Sequence, residues 1–175
     1  MSLLTPDLAT AIHGQTIILD ANAFVEGYSH PVEFSELLAE LTEADCPLTT
    51  IEAVRIEFFS KNRSVEELSK KVAFYNETLT YPELPTITFK DELQEPTLIF
   101  AFGRQAQGFK TVDFMIAAAM KKYATGALLL TRDHHDFTPQ LFDLKALLPF
   151  TPPVGCVVPF GIYGFSEDKY AALLH

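Results

Sequence analysis

"TVDFMIAAAMKKYATGALLLTRDHHDF", residues 111–137, joins a helical pattern to an apolar strand that ends among acidic residues. The first part predicts a helix with one apolar face, formed by Val112, Met115, Ile116, Ala119, Met120 and Tyr123. After Gly126 the run "ALLLT" is short and apolar, which is typical of a buried strand. The strand ends at Thr131, and Asp133 and Asp136 follow at once. The stretch therefore predicts a helix, a buried strand and acids just past the strand's carboxyl end.

A similar strand lies near the N-terminus. "QTIILDAN", residues 15–22, is a β-branched run that ends in Asp20. The segments between and after these two strands alternate in pattern, with helices at 31–45, 51–61, 64–79 and 91–108 and strands at 46–50 and 154–160. Ser64 and Glu67 form a capping box at the start of one of these helices. Short apolar strands alternating with helices predict an α/β fold with a mainly parallel sheet.

Length and composition predict one compact domain over residues 1–175, with 151–175 as a C-terminal extension packed on it. The chain has 175 residues and is 48% hydrophobic, which is enough for a single sizeable core. Its formal charge of -10 argues against broad attraction to nucleic acid or to an anionic membrane. Cys46 and Cys156 lack Cys-x-x-Cys spacing, and no signal peptide or membrane-spanning pattern is present, so we expect a cytoplasmic protein that does not associate with membranes.

Three acids are predicted to converge at one edge of the sheet. Asp20 and Asp133 each lie just past a strand end, where parallel sheets collect their ligands, and Asp113 lies at the start of the long helix. Carboxylates held about 4 Å apart repel by about 4 kcal/mol at an effective dielectric of 20, so a cation would have to offset them. Oxygen ligands without His or Cys favour Mg²⁺ or Mn²⁺ over zinc.

Three blocks of this chain, "IILDANAF", "IEFF" and residues 111–137, resemble the acidic signature blocks of the PIN-domain ribonuclease family, which includes the VapC-type toxins of toxin–antitoxin pairs. The resemblance implies a three-layer α/β/α, Rossmann-like fold and a Mg²⁺- or Mn²⁺-dependent endoribonuclease that hydrolyses single-stranded RNA. It also implies a small antitoxin protein as a partner, if the chain is a toxin. The blocks span roughly residues 16–137.

The resemblance assigns site residues position by position. The family's acidic quartet corresponds to Asp20, Glu57, Asp113 and Asp133, with Asp136 as an additional metal-site acid. Asp20 and Asp113 would bind the principal ion directly, and Asp133 or Asp136 would hold it or a second ion partly through water. Glu57 would orient the attacking water or a hydrated metal. The sequence alone does not separate these roles.

The second acid has a rival in Glu52, which lies on the same predicted helix. Five residues turn a helix by about 140° between them, so only one of the two side chains can easily face the site. Glu57 is preferred because it precedes the apolar pair Phe58 and Phe59, as the family's Glu precedes Leu. Glu52 is then a solvated acid in the first helical turn.

Polar and basic residues around the acids are candidates for holding the substrate. Asn22 and Thr131 take positions where the family commonly has polar residues that orient the acids, and Arg132 sits at the mouth of the predicted site. We predict that His134 and His135 are loop residues on the surface, because adjacent side chains project differently and no further His lies at ligand spacing.

One other function remains open from the sequence, and a further one is disfavoured. A PIN-like fold without catalysis would serve as a protein-interaction or RNA-docking module. A haloacid-dehalogenase-like phosphatase would need a second Asp two residues after Asp20, where this chain has Asn22.

The aromatic residues in and beside the tail predict either a homodimer contact or a completed monomer core: Phe150, Phe160, Tyr163, Phe165 and Tyr170.

Overall fold

The computed structural model describes residues 4–85, 93–97, 111–153 and 157–175. Its centre is one five-stranded sheet. The strands are β1 (Thr16–Leu19), β2 (Leu48–Thr49), β3 (Ala127–Thr131), β4 (Phe142–Phe150) and β5 (Val158–Phe165). Their order across the sheet is β2-β1-β3-β5-β4. The two apolar strands that end in acids, β1 and β3, are therefore neighbours at the middle of the sheet.

Helices flank these strands along the chain. They are α1 (Pro6–Ile12), α2 (Ala21–Ser29), α3 (Pro31–Glu43), α4 (Glu52–Ser60), α5 (Val65–Thr78), α6 (Thr111–Lys122) and α7 (Glu167–Leu173). Half of the predicted capping box is present at α5: the Ser64 hydroxyl accepts a hydrogen bond of 3.1 Å from the amide of Glu67, whereas the Glu67 carboxylate accepts from the amide of Arg63. Of the helix predicted at 91–108, only residues 93–97 are described, and 94–97 are helical; the remainder lies outside the described residues.

The sheet is mixed. β1 pairs in parallel with both β2 and β3, whereas β5 runs antiparallel to β3 and to β4. Four strands thus share one direction and β5 alone is reversed. The chain has an α/β fold with an open and mostly parallel sheet, as its alternating pattern predicts.

The C-terminal segment is part of the sheet, where the sequence predicted an extension packed on it. β5 begins at Val158 and is inserted between β3 and β4, with which it forms a long antiparallel hairpin. Removing residues 151–175 would therefore remove an internal strand. The physical reason is that β3 needs a hydrogen-bonding partner on its second side, and β5 supplies that partner along Leu128 to Thr131.

The aromatic residues of this region complete the core of a single chain. Phe150, Phe160, Tyr163, Phe165 and Tyr170 are all buried. Phe160 contacts Phe34 in a tilted arrangement and Phe150 edge-on, with ring centroids 6.2 and 5.5 Å away. The exposed aromatic patch that favoured a dimer is thus not present at these positions, and their alternative role as a monomer core is what the structure shows.

Within the described parts of the chain, no helix combines the length and the apolar character needed to span a bilayer. The core instead lies around the sheet, where β1 and β3 are almost wholly buried along their lengths. α2 packs on β3, α3, α4 and α5, while α6 packs on β3, β5 and α4. These contacts pack α2 and α6 directly on β3, with α4 against both of these helices.

Candidate acidic site at the carboxyl edge of the sheet

The pairing of β1 with β3 brings the two predicted strand ends side by side. Leu19 is the register partner of Leu130, so Asp20 and Thr131 each follow or close a strand at the same edge. The amide of Asp20 continues the ladder with a 3.2 Å hydrogen bond to the carbonyl of Leu130. The predicted meeting of the two strand ends is therefore present in the structure.

Asp20 is a buried carboxylate that caps α2. Its Oδ1 accepts a hydrogen bond of 2.6 Å from the amide of Ala21. Its Oδ2 accepts two more, from Nδ2 of Asn22 at 2.6 Å and from the Thr131 hydroxyl at 2.6 Å. The helix start and these donors favour the charged form and hold the carboxylate in one orientation.

Asn22 and Thr131 form the bridge between the two strand ends, as the family resemblance implied. Nδ2 of Asn22 also donates to the Thr131 hydroxyl at 2.9 Å, and its Oδ1 accepts from the amide of Arg132 at 3.0 Å. The Thr131 hydroxyl accepts a further bond of 3.0 Å from the amide of Asp133. The backbone of the loop after β3 is thus fixed relative to Asp20 by two polar side chains.

Burial raises the pKa of Asp20 to about 6, against the opposing effect of the Thr131 and Ala21 hydrogen bonds. The charges of Glu57 and Asp133 raise it further. These two acids are therefore close enough to Asp20 to interact with it electrostatically. A titratable group with this combination of burial and like-charge neighbours at a sheet edge is a candidate functional residue.

Glu57 and Glu52 have different surroundings on α4. Glu57 is half-buried and acts on Asp20, as just described. Glu52 lies in the first turn of the helix and pairs with Arg55 at 3.1 Å, with 45% of its side chain exposed. Of the two acids, Glu57 is the one whose charge raises the pKa of Asp20.

Asp113 and Asp136 are both buried acids. Asp113 lies in the first turn of α6, the helix that packs on β3 and α4. Asp136 follows β3, and its amide donates a 3.4 Å hydrogen bond to the carbonyl of Asp133. Across residues 4–85, 93–97, 111–153 and 157–175, no three His, Cys, Asp or Glu side chains are grouped in an arrangement that could hold a metal ion. Of the predicted acids, Glu57 and Asp133 interact electrostatically with Asp20, and the acids of the described residues do not form a ready ligand set.

Arg132 is engaged within the chain. Its guanidinium forms an ion pair with Glu26, a half-buried residue of α2. Glu26 was not among the predicted site residues, although it lies four positions after Asn22 and therefore on the same helix face, a spacing visible in the sequence. The pairing neutralises the cation that was predicted to steer the substrate.

His134 is half-buried and its ring is held by contacts with β5, whereas His135 is exposed. Nδ1 of His134 lies 2.7 Å from the hydroxyl of Tyr163, and Nε2 lies 3.3 Å from the carbonyl of Pro159. Burial, and secondarily the charge of Asp133, raises the pKa of Tyr163. No local sequence signal points to Tyr163, because it reaches the loop from β5, 29 residues further along the chain.

Comparison of the chain with protein-family models, with curated proteins and with solved structures gives no match. In chemical terms the edge offers carboxylate oxygens with neighbouring hydroxyl and amide groups, the donors that Mg²⁺ and Mn²⁺ prefer.

Proposed function

We propose that the chain is a metal-dependent endoribonuclease that hydrolyses single-stranded RNA at the edge formed by β1, β3 and α4. The observation that carries the proposal is the buried carboxylate of Asp20, whose pKa is raised by burial and by the charges of Glu57 and Asp133. Such a site is unfavourable for folding while it is empty of cations, because like charges are held together in a poorly hydrated place. Functional sites commonly keep groups of this kind.

The donor chemistry suits Mg²⁺ or Mn²⁺ as the cofactor. Asp20, Asp113, Asp133 and Asp136 would hold the ion, directly or through water. The bound ion would lower the pKa of a water molecule and offset charge on the phosphoryl oxygens. A three-layer, Rossmann-like PIN arrangement of the α/β fold belongs to the same proposal.

The chain's own residues would position the reaction. Thr131 and Asn22 hold Oδ2 of Asp20 in place, so that this carboxylate keeps one orientation while other groups move. Glu57 is half-buried beside Asp20 and would accept a hydrogen bond from the attacking water. Asn22 and Thr131 act here as positioning residues, since their hydrogen bonds go to the acids and to the loop after β3.

Metal dependence tests the proposal. The purified chain is incubated with a single-stranded RNA labelled at its 5′ end, in Mg²⁺, in Mn²⁺ and in EDTA, and the products are resolved by length. We expect internal cleavage with either ion and none in EDTA. Cleavage that persists in EDTA would overturn the metal mechanism, and an RNA left intact under every condition would overturn the nuclease proposal.

A catalytically silent PIN-like module is the second candidate, and one observation favours it. Both oxygens of Asp20 already accept hydrogen bonds from the chain, and the acids of the described residues are not grouped as a metal site. Such a module would bind RNA or a protein partner without cleaving. RNA binding in Mg²⁺ with no products would favour this candidate over the nuclease.

A further inference from the structure

Most cations of the described residues are neutralised by a neighbouring acid. The ion-paired residues are Arg55, Lys70, Lys71, Lys121, Arg132, Lys145 and Lys169. In a chain with 13 basic and 23 acidic residues, pairing of this extent leaves few positive charges for an anionic ligand. Phosphate contacts on RNA need cations whose charge is not already offset.

Lys61 and Arg63 differ from those cations. Neither side chain forms an ion pair with any residue in the described ranges, and both are exposed. They lie on the short loop between α4 and α5, where they line an open pocket of about 510 Å³ together with Ser60, Asn62 and Glu67. The two positive charges face one Glu, whose carboxylate already accepts a 2.8 Å hydrogen bond from the amide of Arg63.

The loop between α4 and α5 keeps its conformation through hydrogen bonds that do not use the charged groups of Lys61 and Arg63. The buried ammonium of Lys71 donates a 2.7 Å hydrogen bond to the carbonyl of Lys61 and contacts the carbonyl of Phe58 at 3.5 Å. Nδ2 of Asn62 donates to the carbonyl of Phe59. The loop conformation thus depends on backbone contacts and leaves the two cationic side chains available for a ligand.

The pocket lies next to the acidic site along α4. Lys61 caps the C-terminus of α4 and follows Glu57 by four positions, so the two backbones are about one helical turn or 6 Å apart along the axis. A strand of RNA whose scissile phosphate lies beside Glu57 would place a neighbouring phosphate near this loop, since successive phosphates of an extended strand lie at a comparable spacing.

We propose that Lys61 and Arg63 bind the phosphodiester backbone of single-stranded RNA, and that this pocket holds the strand across the acidic edge. The inference rests on the proposed ribonuclease function, because RNA is the ligand that function supplies. It transfers the steering role from Arg132, which is paired with Glu26, to the loop between α4 and α5.

Binding in EDTA tests this inference separately from cleavage. The affinity of a labelled single-stranded RNA is measured by fluorescence anisotropy over a series of KCl concentrations, for the wild type and for the double variant Lys61→Gln with Arg63→Gln. Loss of two phosphate contacts should reduce the slope of log K against log salt by about 1.4, since each contact on a single strand contributes about 0.7. Lys70→Gln is the control, because Lys70 carries the same charge on α5 but pairs with Glu66 at 2.7 Å.

We expect the double variant to bind RNA more weakly with the reduced slope, and Lys70→Gln to match the wild type. An unchanged slope in the double variant, an equal loss in Lys70→Gln, or no RNA binding by the wild type would overturn the inference. Cleavage in Mn²⁺ is measured on the same samples. If the wild type cleaves RNA but the double variant has an unchanged slope, the phosphate-binding role of the pocket is wrong and the ribonuclease function stands. If the double variant has the reduced slope but the wild type does not cleave, the phosphate-binding role stands and the ribonuclease function is wrong.

Discussion

The hydroxyl of Thr131 donates a 2.6 Å hydrogen bond to Oδ2 of Asp20, although the two residues are 111 positions apart in the chain. The bond exists because β1 and β3 are parallel neighbours whose carboxyl ends meet at one edge. It joins the acid that caps α2 to the loop that carries Asp133.

Replacing Asp20 by Asn should remove a pH-dependent cost of folding. The folded-state pKa of Asp20 is raised to about 6, against about 3.9 for an unperturbed Asp. The unfolded state therefore loses this proton first, and the metal-free wild type loses stability as pH rises from about 4 to about 6. A pKa difference of this size corresponds to about 3 kcal/mol, which is fully lost above the folded-state pKa.

Urea unfolding in EDTA at a series of pH values measures this effect for the wild type and Asp20→Asn. The free energy of unfolding of the variant minus that of the wild type should become more positive as pH rises through that window. The effects of all other acids cancel in this difference. A difference that is independent of pH, or that moves against the variant as pH rises, would contradict the raised pKa.

Glu57→Gln and Glu52→Gln form a matched pair on α4. Removing the charge of Glu57 should lower the pKa of Asp20, because Glu57 is one of the like charges that raise it. Glu52 pairs with Arg55, so its removal should leave the titration of Asp20 unchanged. The carboxyl carbon of Asp20, followed by ¹³C NMR over pH, reports both results. A shift in Glu52→Gln and none in Glu57→Gln would reverse the assignment of the second acid.

Thr131→Val replaces the hydroxyl at the centre of the network by a methyl group and leaves the shape of the side chain nearly unchanged. Asp20 would lose one donor, while the amide of Asp133 and Nδ2 of Asn22 would lose an acceptor. We expect a loss of about 1–3 kcal/mol in the free energy of unfolding and a further rise in the pKa of Asp20. Thr131→Ser restores the hydroxyl and should recover most of both effects. Equal behaviour of the Val and Ser variants would show that the hydroxyl has no such role.

Lys71→Met should destabilise the fold, although it replaces a buried charged side chain by an apolar one of similar length. The ammonium of Lys71 donates to the carbonyl of Lys61 and lies 5.2 Å from the centre of the Phe58 ring. Without it, carbonyls at the end of α4 lose their donor, at a cost of about 1–3 kcal/mol. Lys70→Met on the exposed face of α5 should change stability by no more than about 0.5 kcal/mol. Equal melting temperatures of Lys71→Met and Lys70→Met would contradict the role of the Lys71 ammonium in capping the end of α4.

The central part of the fold and of the site follows from local patterns. Apolar runs that end in acids predicted β1 and β3, and their parallel pairing follows from the alternation of strands with helices. The approach of Asp20 to Thr131 is a consequence of that pairing. Whether Asp113 joins the others as a ligand stays a prediction, because a helix start fixes the backbone position but leaves the direction of the side chain to the surrounding packing.

Non-local contacts explain what the sequence pattern missed. On α5, Val65 and Val72 are 81% and 37% exposed, whereas Lys71 is buried. Periodicity alone favours Val over Lys, but the ammonium finds carbonyl acceptors ten and more residues earlier in the chain. The strand predicted at 154–160 overlaps the start of β5, but the position of β5 beside β3 is set by pairing across the sheet, which no local pattern specifies.

The initial rate of single-stranded RNA cleavage in Mn²⁺, compared between the wild type, Asp20→Asn and Glu52→Gln, tests the central claim most directly. Asp20→Asn removes the buried carboxylate of the proposed site, and Glu52→Gln removes an acid from the exposed first turn of α4. The account predicts that Asp20→Asn lowers the rate by more than about 100-fold, the upper range for residues that only support a metal ligand. It predicts a rate for Glu52→Gln equal to that of the wild type. A folded Asp20→Asn protein that cleaves as fast as the wild type would contradict the account.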